Sequence, residues 1–321
     1  MNDINMRNPC DNDIPGLRGI WKEVFGSTGE EAFFAHFYDP AFCVMVEYEG
    51  SPAAAGYLVP FGSILNGQSE TPCAMLYSIA TLLGYRGKGF GSAVVRRLTE
   101  IAYEHKYSAV VLCPSEDSLF EYYKTHTGFF DWFYTGEQVY KNEFYNCGTS
   151  PLIKLSAYDY MILREEMLEG ITHIKHDLRV WEYQEYLCNE LGGGLYRIGD
   201  SCAVIECQSD STVWIKELLT NKFSPCNKHT TEIYRNESFI INTDNTAVII
   251  TDKPSAGATD KPIQADIIAS IAAKFPADEY TVRYPAQTGS SRRYGMLISA
   301  CTSQIKTATN SYKPWYGMAY D

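Results

Sequence analysis

No CxxC pair, no apolar run of eighteen residues and no surplus of basic charge occurs in the 321-residue chain, and each absence removes a class of function. The ten cysteines are scattered, and the six histidines never join them at zinc-ligand spacing, so no metal site is expected. Cys43, Cys73 and Cys202 fall in apolar strand-like runs, where a free cysteine is a small core residue. Met1–Pro9 is polar and lacks the apolar stretch of a secretory leader. Without a run long enough for a spanning helix, no membrane partner is expected, and the cytoplasm is the expected compartment. Lys and Arg number 27 against 39 Asp and Glu, a net charge of −12. The imbalance is 10 against 18 through Ser150 and 17 against 21 beyond it, so neither half offers the basic face of a nucleic-acid binder. An acidic surface steers amines weakly toward it. Composition does not separate a monomer from a homodimer.

Two phosphate motifs are also missing. No Gly-Lys-Ser/Thr stands at Walker spacing, and no Gly-x-Gly-x-x-Gly follows a strand.

What is present reads as an α+β chain. A strand near Ile4–Arg7 precedes a helix capped by Asn12 or Asp13, whose residues Ile14, Leu17, Ile20, Trp21 and Val24 share one face. A second helix spans Glu30–Phe37. Phe42–Tyr48 and Ala54–Phe61 form a hairpin, and Cys73–Thr81 a third strand after a polar loop at Gly67–Thr71. The spacing predicts a helix over Phe90–His105. Ser108–Leu112 is apolar throughout, as suits a strand covered on both faces. Cys113-Pro114 ends it, Ser115 is placed to cap a helix reaching His126, and Phe129–Phe133 and Gln138–Phe144 follow as strands joined around Thr135-Gly136. The second half starts over: a strand at Leu152–Ser156, helices at Asp159–Leu168 and Asp177–Leu191, then strands at Leu195–Ile198, Ser201–Cys207 and Thr212–Leu219. Gly199-Asp200 makes a two-residue hairpin turn between the first two of these. In the ill-defined tract Asn221–Pro262, Glu232–Ile241 and Thr246–Thr251 have strand character. A helix at Ile263–Phe275 and strands at Tyr280–Tyr284 and Arg293–Ala300 close the chain. The shared element order suggests an internal duplication, with domains over 1–148 and 149–321, each a mostly antiparallel mixed sheet flanked by helices.

The chemistry-bearing segment is Tyr85–Gly91, between the strand Cys73–Thr81 and the helix from Phe90. Arg86, Gly87, Lys88, Gly89 and Gly91 make an Arg-x-x-Gly-x-Gly turn. A helix start leaves backbone N–H groups without internal partners, and glycines let that backbone approach a phosphate oxygen closely. The helix dipole, Arg86 and Lys88 supply positive potential suited to a diphosphate.

The stretch Tyr77-Ser-Ile-Ala-Thr-Leu-Leu-Gly-Tyr-Arg-Gly-Lys-Gly-Phe-Gly-Ser92 resembles the acyl-CoA signature of GCN5-related N-acetyltransferases. A second block, Ala109-Val-Val-Leu-Cys-Pro114 with Leu119-Phe-Glu-Tyr-Tyr-Lys124 and Gly128-Phe129, resembles the family in the right order. The resemblance spans Ile4 to Phe144 and implies transfer of an acetyl group from acetyl-CoA to a primary amine, on a small molecule or a protein or peptide. It implies a cofactor between splayed strands, held by Ala80, Thr81, Leu82 and Leu83 along its arm. Arg86, Gly87, Lys88, Gly89, Phe90, Gly91 and Ser92 would hold the pyrophosphate, with Ser118 and Tyr122 contributing from the later helix. A backbone N–H near Leu82 or Leu83 would stabilise the oxyanion. Tyr123 matches the family's acid, although it stands five residues before Gly128 where four are usual, and the helix has no Asn. Glu47, with Glu49 beside it at a strand end, is a candidate base whose alternative is an ordinary polar hairpin end. Some multi-domain relatives use the chain's terminal carboxylate as base, which here would be Asp321. The aromatic tail Lys313–Asp321 is expected to pack as an edge strand. Cys113 has no paired histidine for a covalent route.

The second half resembles the same fold without the cradle: after Thr212–Leu219 the chain runs Thr220-Asn-Lys-Phe-Ser-Pro-Cys. One cofactor per chain is therefore expected, and the second half is expected to help form the acceptor cleft. A non-catalytic acyl-CoA-binding module is the competing reading.

Overall fold

The computed structural model describes residues 3–133, 135–142, 149–209, 211–220, 265–285 and 297–300. In chain order the elements are β1 (Ile4–Arg7), α1 (Ile14–Phe25), α2 (Glu30–His36), β2 (Cys43–Tyr48), β3 (Ser51–Asn66), β4 (Ser69–Thr81), α3 (Phe90–Glu104), β5 (Ala109–Leu112), α4 (Asp117–Thr127), β6 (Phe130–Asp131) and β7 (Thr135–Lys141). There follow β8 (Leu152–Lys154), α5 (Ala157–Met167), β9 (His173–Lys175), α6 (Leu178–Glu190), β10 (Gly194–Ile198), β11 (Ser201–Ser209), β12 (Thr212–Thr220), α7 (Ala265–Lys274), β13 (Glu279–Pro285) and β14 (Leu297–Ala300).

These strands build two mixed sheets flanked by helices. The first runs β1-β2-β3-β4-β5-β14-β6, with β9 joined to the far part of β3; the second runs β7-β13-β12-β11-β10-β8. Among the described strand pairs, β4–β5 in the first sheet and β12–β13 in the second are the parallel ones. Alternation along β2 and β3 divides the first core between two faces. Cys43, Met45 and Tyr57 point to α1 and α2 with Leu17, Trp21 and Phe33, while Val44, Val46 and Leu58 meet Val94, Leu98 and Ile101 of α3. All four residues of β5 are buried, as its unbroken apolar run requires.

The last strands are exchanged between the sheets. β7, from the first half, pairs with β13, whereas β14, near the far end of the chain, lies between β5 and β6. Of the strand read as Arg293–Ala300, the described part Leu297–Ala300 lies in the first sheet. The strand read as Gln138–Phe144 begins instead at Thr135. Gly136 belongs to it and not to a turn, because a Cβ there would stand 2.4 Å from the ring of its cross-strand partner Tyr284. The stretch read as a polar loop at Gly67–Thr71 is a tight turn at Gly67, with Asn66 already paired to Ser69. The segments 232–241, 246–251 and 313–321 lie outside the described residues.

β9 was not foreseen. It pairs with Ser63–Leu65, and Gly62 makes room for it: at φ +115, a Cβ on Gly62 would lie 2.0 Å from the Lys175 carbonyl. A buried ion pair holds β9 from the other side. Arg164 and Glu217, both fully buried, join at 3.0 and 3.2 Å, and Arg164 Nη1 donates to the Ile174 carbonyl at 2.9 Å. His173 meets Glu165 at 3.0 Å. Burial opposes charge on Glu165, but His173 and Arg164 outweigh it and hold its pKa down at about 2.

Candidate active site

β4 separates from β5 halfway along its length. Pairing runs from Cys73–Ala109 to Met75–Val111 and stops, while β4 continues to Thr81. A bulge marks the change: Tyr57 faces Tyr77 and Ala55 faces Ala80, so Ser78 and Ile79 together oppose Gly56. Ser78 takes φ +47, uncommon for a residue with a side chain. Gly56 permits this geometry, since a Cβ there would lie 2.5 Å from Ile79 Cδ1 and 2.7 Å from Val94 Cγ1. A glycine inside an apolar strand was the signal for the bulge in the sequence. Ala80 is buried, and Thr81 and Leu82 are half-buried at the mouth of the divergence.

The chain then turns into α3. Leu82 N–H donates to the Ala53 carbonyl at 3.0 Å. Leu83, 73% exposed, opens a 3-10 turn over Leu83–Tyr85, which cannot satisfy its own first N–H. Of the two amides read as oxyanion donors, Leu83 is thus the one not committed to the strand. Arg86 folds back to donate to the Thr81 carbonyl at 3.2 Å. Gly87 (φ +77) and Gly89 (φ +81) take left-handed conformations, and a Cβ on either would meet nothing within 4 Å. The space above them is open. The first bond of α3 runs from Ala93 N–H to Gly89 O at 3.1 Å, so the helix leaves the amides of Phe90, Gly91 and Ser92 unsatisfied. Phe90, 5% exposed, anchors this end in the core, while Arg86 and Lys88 stay exposed, Lys88 lying 5.2 Å from the Tyr48 ring centre. Open amides, glycines and two cations fit a diphosphate.

α4 closes the site from the second strand. Its N-cap position is Glu116 and not Ser115, and Ser118 Oγ donates to the Glu116 carboxylate at 2.7 Å. Tyr122 and Tyr123 part company. The Tyr122 hydroxyl is 2.6 Å from Ser92 Oγ and would lie 3.4 Å from a Cβ on Gly91, so it stands at the helix start. Its ring stacks on His126, whose Nδ1 lies 2.9 Å from the Tyr122 carbonyl. Tyr123 is 8% exposed among Val110, Leu112 and Phe129, and burial pushes its phenol up to about 12.

Of the carboxylates read as bases, Glu47 and Glu49 are described and Asp321 is not. Glu47 is held at both oxygens: Arg7 at 2.8 and 3.2 Å, and Asn5 at 3.0 Å. Arg7 also grips Asp13 at 2.6 Å, holding that carboxyl well below its usual range, by hydrogen bond first and charge last. Glu49 occupies a hairpin turn at φ +51. Asp321 lies outside the described residues. His36 bonds the Ala32 carbonyl within its helix, and Cys113 is half-buried at the end of β5. Among the described residues, no three His, Cys, Asp or Glu side chains gather to hold a metal ion, and no helix is long and apolar enough to cross a membrane.

Comparison with known proteins agrees with this geometry. A family model described as an acetyltransferase (GNAT) domain matches residues 5–126, from β1 into α4. The fold is similar to that of a GCN5-related N-acetyltransferase from Kribbella flavida, at 12% identity over 93% of this chain and 71% of that one, with a TM-score of 0.60. A GCN5-related N-acetyltransferase from Anabaena variabilis ATCC 29413 gives 12% identity, 94% and 73% coverage and a TM-score of 0.61. A putative acetyltransferase from Pyrococcus horikoshii gives 14%, 98% and 94%, and 0.54. No curated protein matches. The diverging strands and the glycine cradle lie within the matched region: residues 5–126 are similar to a GNAT acetyltransferase domain, and the chain shares the fold of these structures.

Proposed function

We propose that the chain transfers an acetyl group from acetyl-CoA to a primary amine by direct attack. The observation that carries this reading is the open amide cluster at the start of α3, set against the bulged and diverging end of β4. Acetyl-CoA, when bound, would supply an activated thioester. The amides of residues 90–92, with Arg86 and Lys88, would hold its diphosphate. Ala80–Leu83 would offer backbone groups along its arm, and Leu83 N–H would face the developing oxyanion. Tyr123 is proposed as the acid. Burial keeps it protonated across neutral pH, but a phenol at about 12 gives up its proton reluctantly. The Tyr122 hydroxyl, on Ser92 at the cradle, is the second reading for that role. Glu47 and Asp321 are proposals for the base, and Glu47 would first have to leave Arg7.

We also infer that the second half is a degenerate copy of the first, with domains over 1–148 and 149–321 and one strand of each lobe in the other's sheet. The support is the strand order, the parallel pair whose two strands are joined through a helix (α3 or α7), and pairing that ends at Ile215–Val282 while β12 runs on to Thr220. One cofactor per chain follows from the single glycine cradle, and calorimetry finding two coenzyme A sites would refute it.

Thiol release from acetyl-CoA across an amine panel, followed by mass analysis, tests the activity. Coenzyme A binding without turnover of any amine would favour a binding module, and no binding would end the reading.

A further inference from the structure

Helix α6 serves two cores at once. Trp181 and Cys188 pack in the core between α5 and the second sheet, whereas Val180 and Tyr183 are fully or nearly fully buried in the core under α1 and α2. The anchoring is dense. Arg179 donates to the His36 carbonyl and lies 5.2 Å from the Phe37 ring centre, and Phe37 meets Tyr183 edge-on at 5.1 Å.

The Tyr183 hydroxyl reaches two places that matter for the cleft. It lies 3.4 Å from the Tyr77 hydroxyl, and Tyr77 directly precedes the bulged Ser78 on β4. It also lies 3.6 Å from the position of a Cβ on Gly29, the left-handed residue that starts α2. One phenol from the second half therefore meets a hydroxyl of the strand that diverges and stands beside the turn that opens the neighbouring helix. Tyr77 is half-buried, its ring packed against Trp21 of α1 and Phe33 of α2, one residue before the bulge.

We propose that Tyr183 is a positioning residue for the amine acceptor. Through Tyr77 and the turn at Gly29 it fixes the wall beside the bulged end of β4, and so the angle at which an amine approaches the thioester. This rests on the acetyl transfer proposed above. The second half thereby contributes to acceptor capture through a hydroxyl pair, without touching the cofactor cradle.

The test is a double-mutant cycle of Tyr77→Phe and Tyr183→Phe in the full chain. Acetyl-CoA is the donor, and the acceptor is whichever of spermidine, tyramine or an N-terminal peptide the parent turns over best. Phenylalanine keeps the ring contacts and removes only the hydroxyls. Each single variant is expected to raise the acceptor KM about fivefold, the worth of one net hydrogen bond. The double variant should lose no more than either single, because the two hydroxyls act as one unit. Coenzyme A affinity and melting temperature should stay near parental values. Additive losses, an unchanged acceptor KM, or a KM change that follows melting temperature or coenzyme A affinity would each overturn the proposal. A parent that binds no coenzyme A would instead defeat the acetyl-transfer reading itself.

Discussion

Replacing Glu217 by Gln should destabilise the chain strongly, because it strips the fully buried one of two counter-charges from a guanidinium with no access to water. Arg164 and Glu217 are both 0% exposed, joined by Nε at 3.0 and 3.2 Å, with Tyr160 donating to the same carboxylate at 3.1 Å. Glu165, partly exposed and shared with His173, stays on Nη1 at 3.0 Å, while Nη2 has no hydrogen-bond partner, so the site has little reserve once Glu217 loses its charge. Breaking a buried pair from one side costs about 3–5 kcal/mol, a large part of the roughly 5–15 kcal/mol that holds a domain folded. At about 2–4 °C per kcal/mol for a chain of this order, the melting temperature should fall by roughly 6–20 °C. Scanning calorimetry at neutral pH measures this directly. The decisive comparison is the double variant Arg164→Met with Glu217→Leu, which removes both charges and keeps the volume nearly constant. It should melt well above Glu217→Gln, since desolvating the pair is itself costly. If the double variant melts as low as the single one, the charge imbalance is not the cause and the reasoning fails.

Acid should unfold the chain partly through Glu165. Its folded pKa of about 2 lies below the ordinary 4.5, so the stability it contributes is present above pH 4.5 and lost as pH falls toward 2. Glu165→Gln should flatten the melting-temperature profile across that window. Gly89→Ala forces a side chain into φ +81, a strain of about 1–2 kcal/mol. It should weaken coenzyme A binding about tenfold by calorimetry, while an unchanged affinity would separate the turn from the ligand. Tyr123→Phe should lower kcat by about a hundredfold or more if it is the acid. Loss on Tyr122→Phe alone would move that role to the hydroxyl on Ser92. Removing Tyr320 and Asp321 should abolish turnover and spare coenzyme A binding if the terminal carboxylate is the base.

Local chemistry was legible in the sequence wherever neighbours along the chain decide it. The cradle at Arg86–Gly91 and the buried run Ala109–Leu112 could be read because glycine conformation and uninterrupted apolarity act within a few residues. The hairpin at Gly199-Asp200 was readable for the same reason, with Ile198 paired to Ser201 as that turn demands. What could not be read depends on partners far away. Gly136 looked like a turn residue until Tyr284, 148 positions on, lay across it. His173–Lys175 is too short and polar to announce a strand, and it forms because Gly62 leaves the edge of β3 open. Tyr122 and Tyr123 are chemically identical in sequence, and only the rotation of α4 turns one to Ser92 and the other to Phe129.

The exchange of β7 and β14 has a consequence for biosynthesis. Ala109–Leu112, one wall of the divergence, is bounded on its outer side by Leu297–Ala300, nearly the length of the chain away. Leu152–Lys154 and Gly194–Ile198 likewise belong to a sheet that ends on Thr135–Lys141. A ribosome that has released the first 150 residues has therefore not released a finished first sheet. Its β5 edge stays exposed until residues 297–300 emerge, a window in which other chains can pair with it. Contacts of such long separation also slow folding. The first sheet should thus be completed late, only after every described strand of the second has emerged.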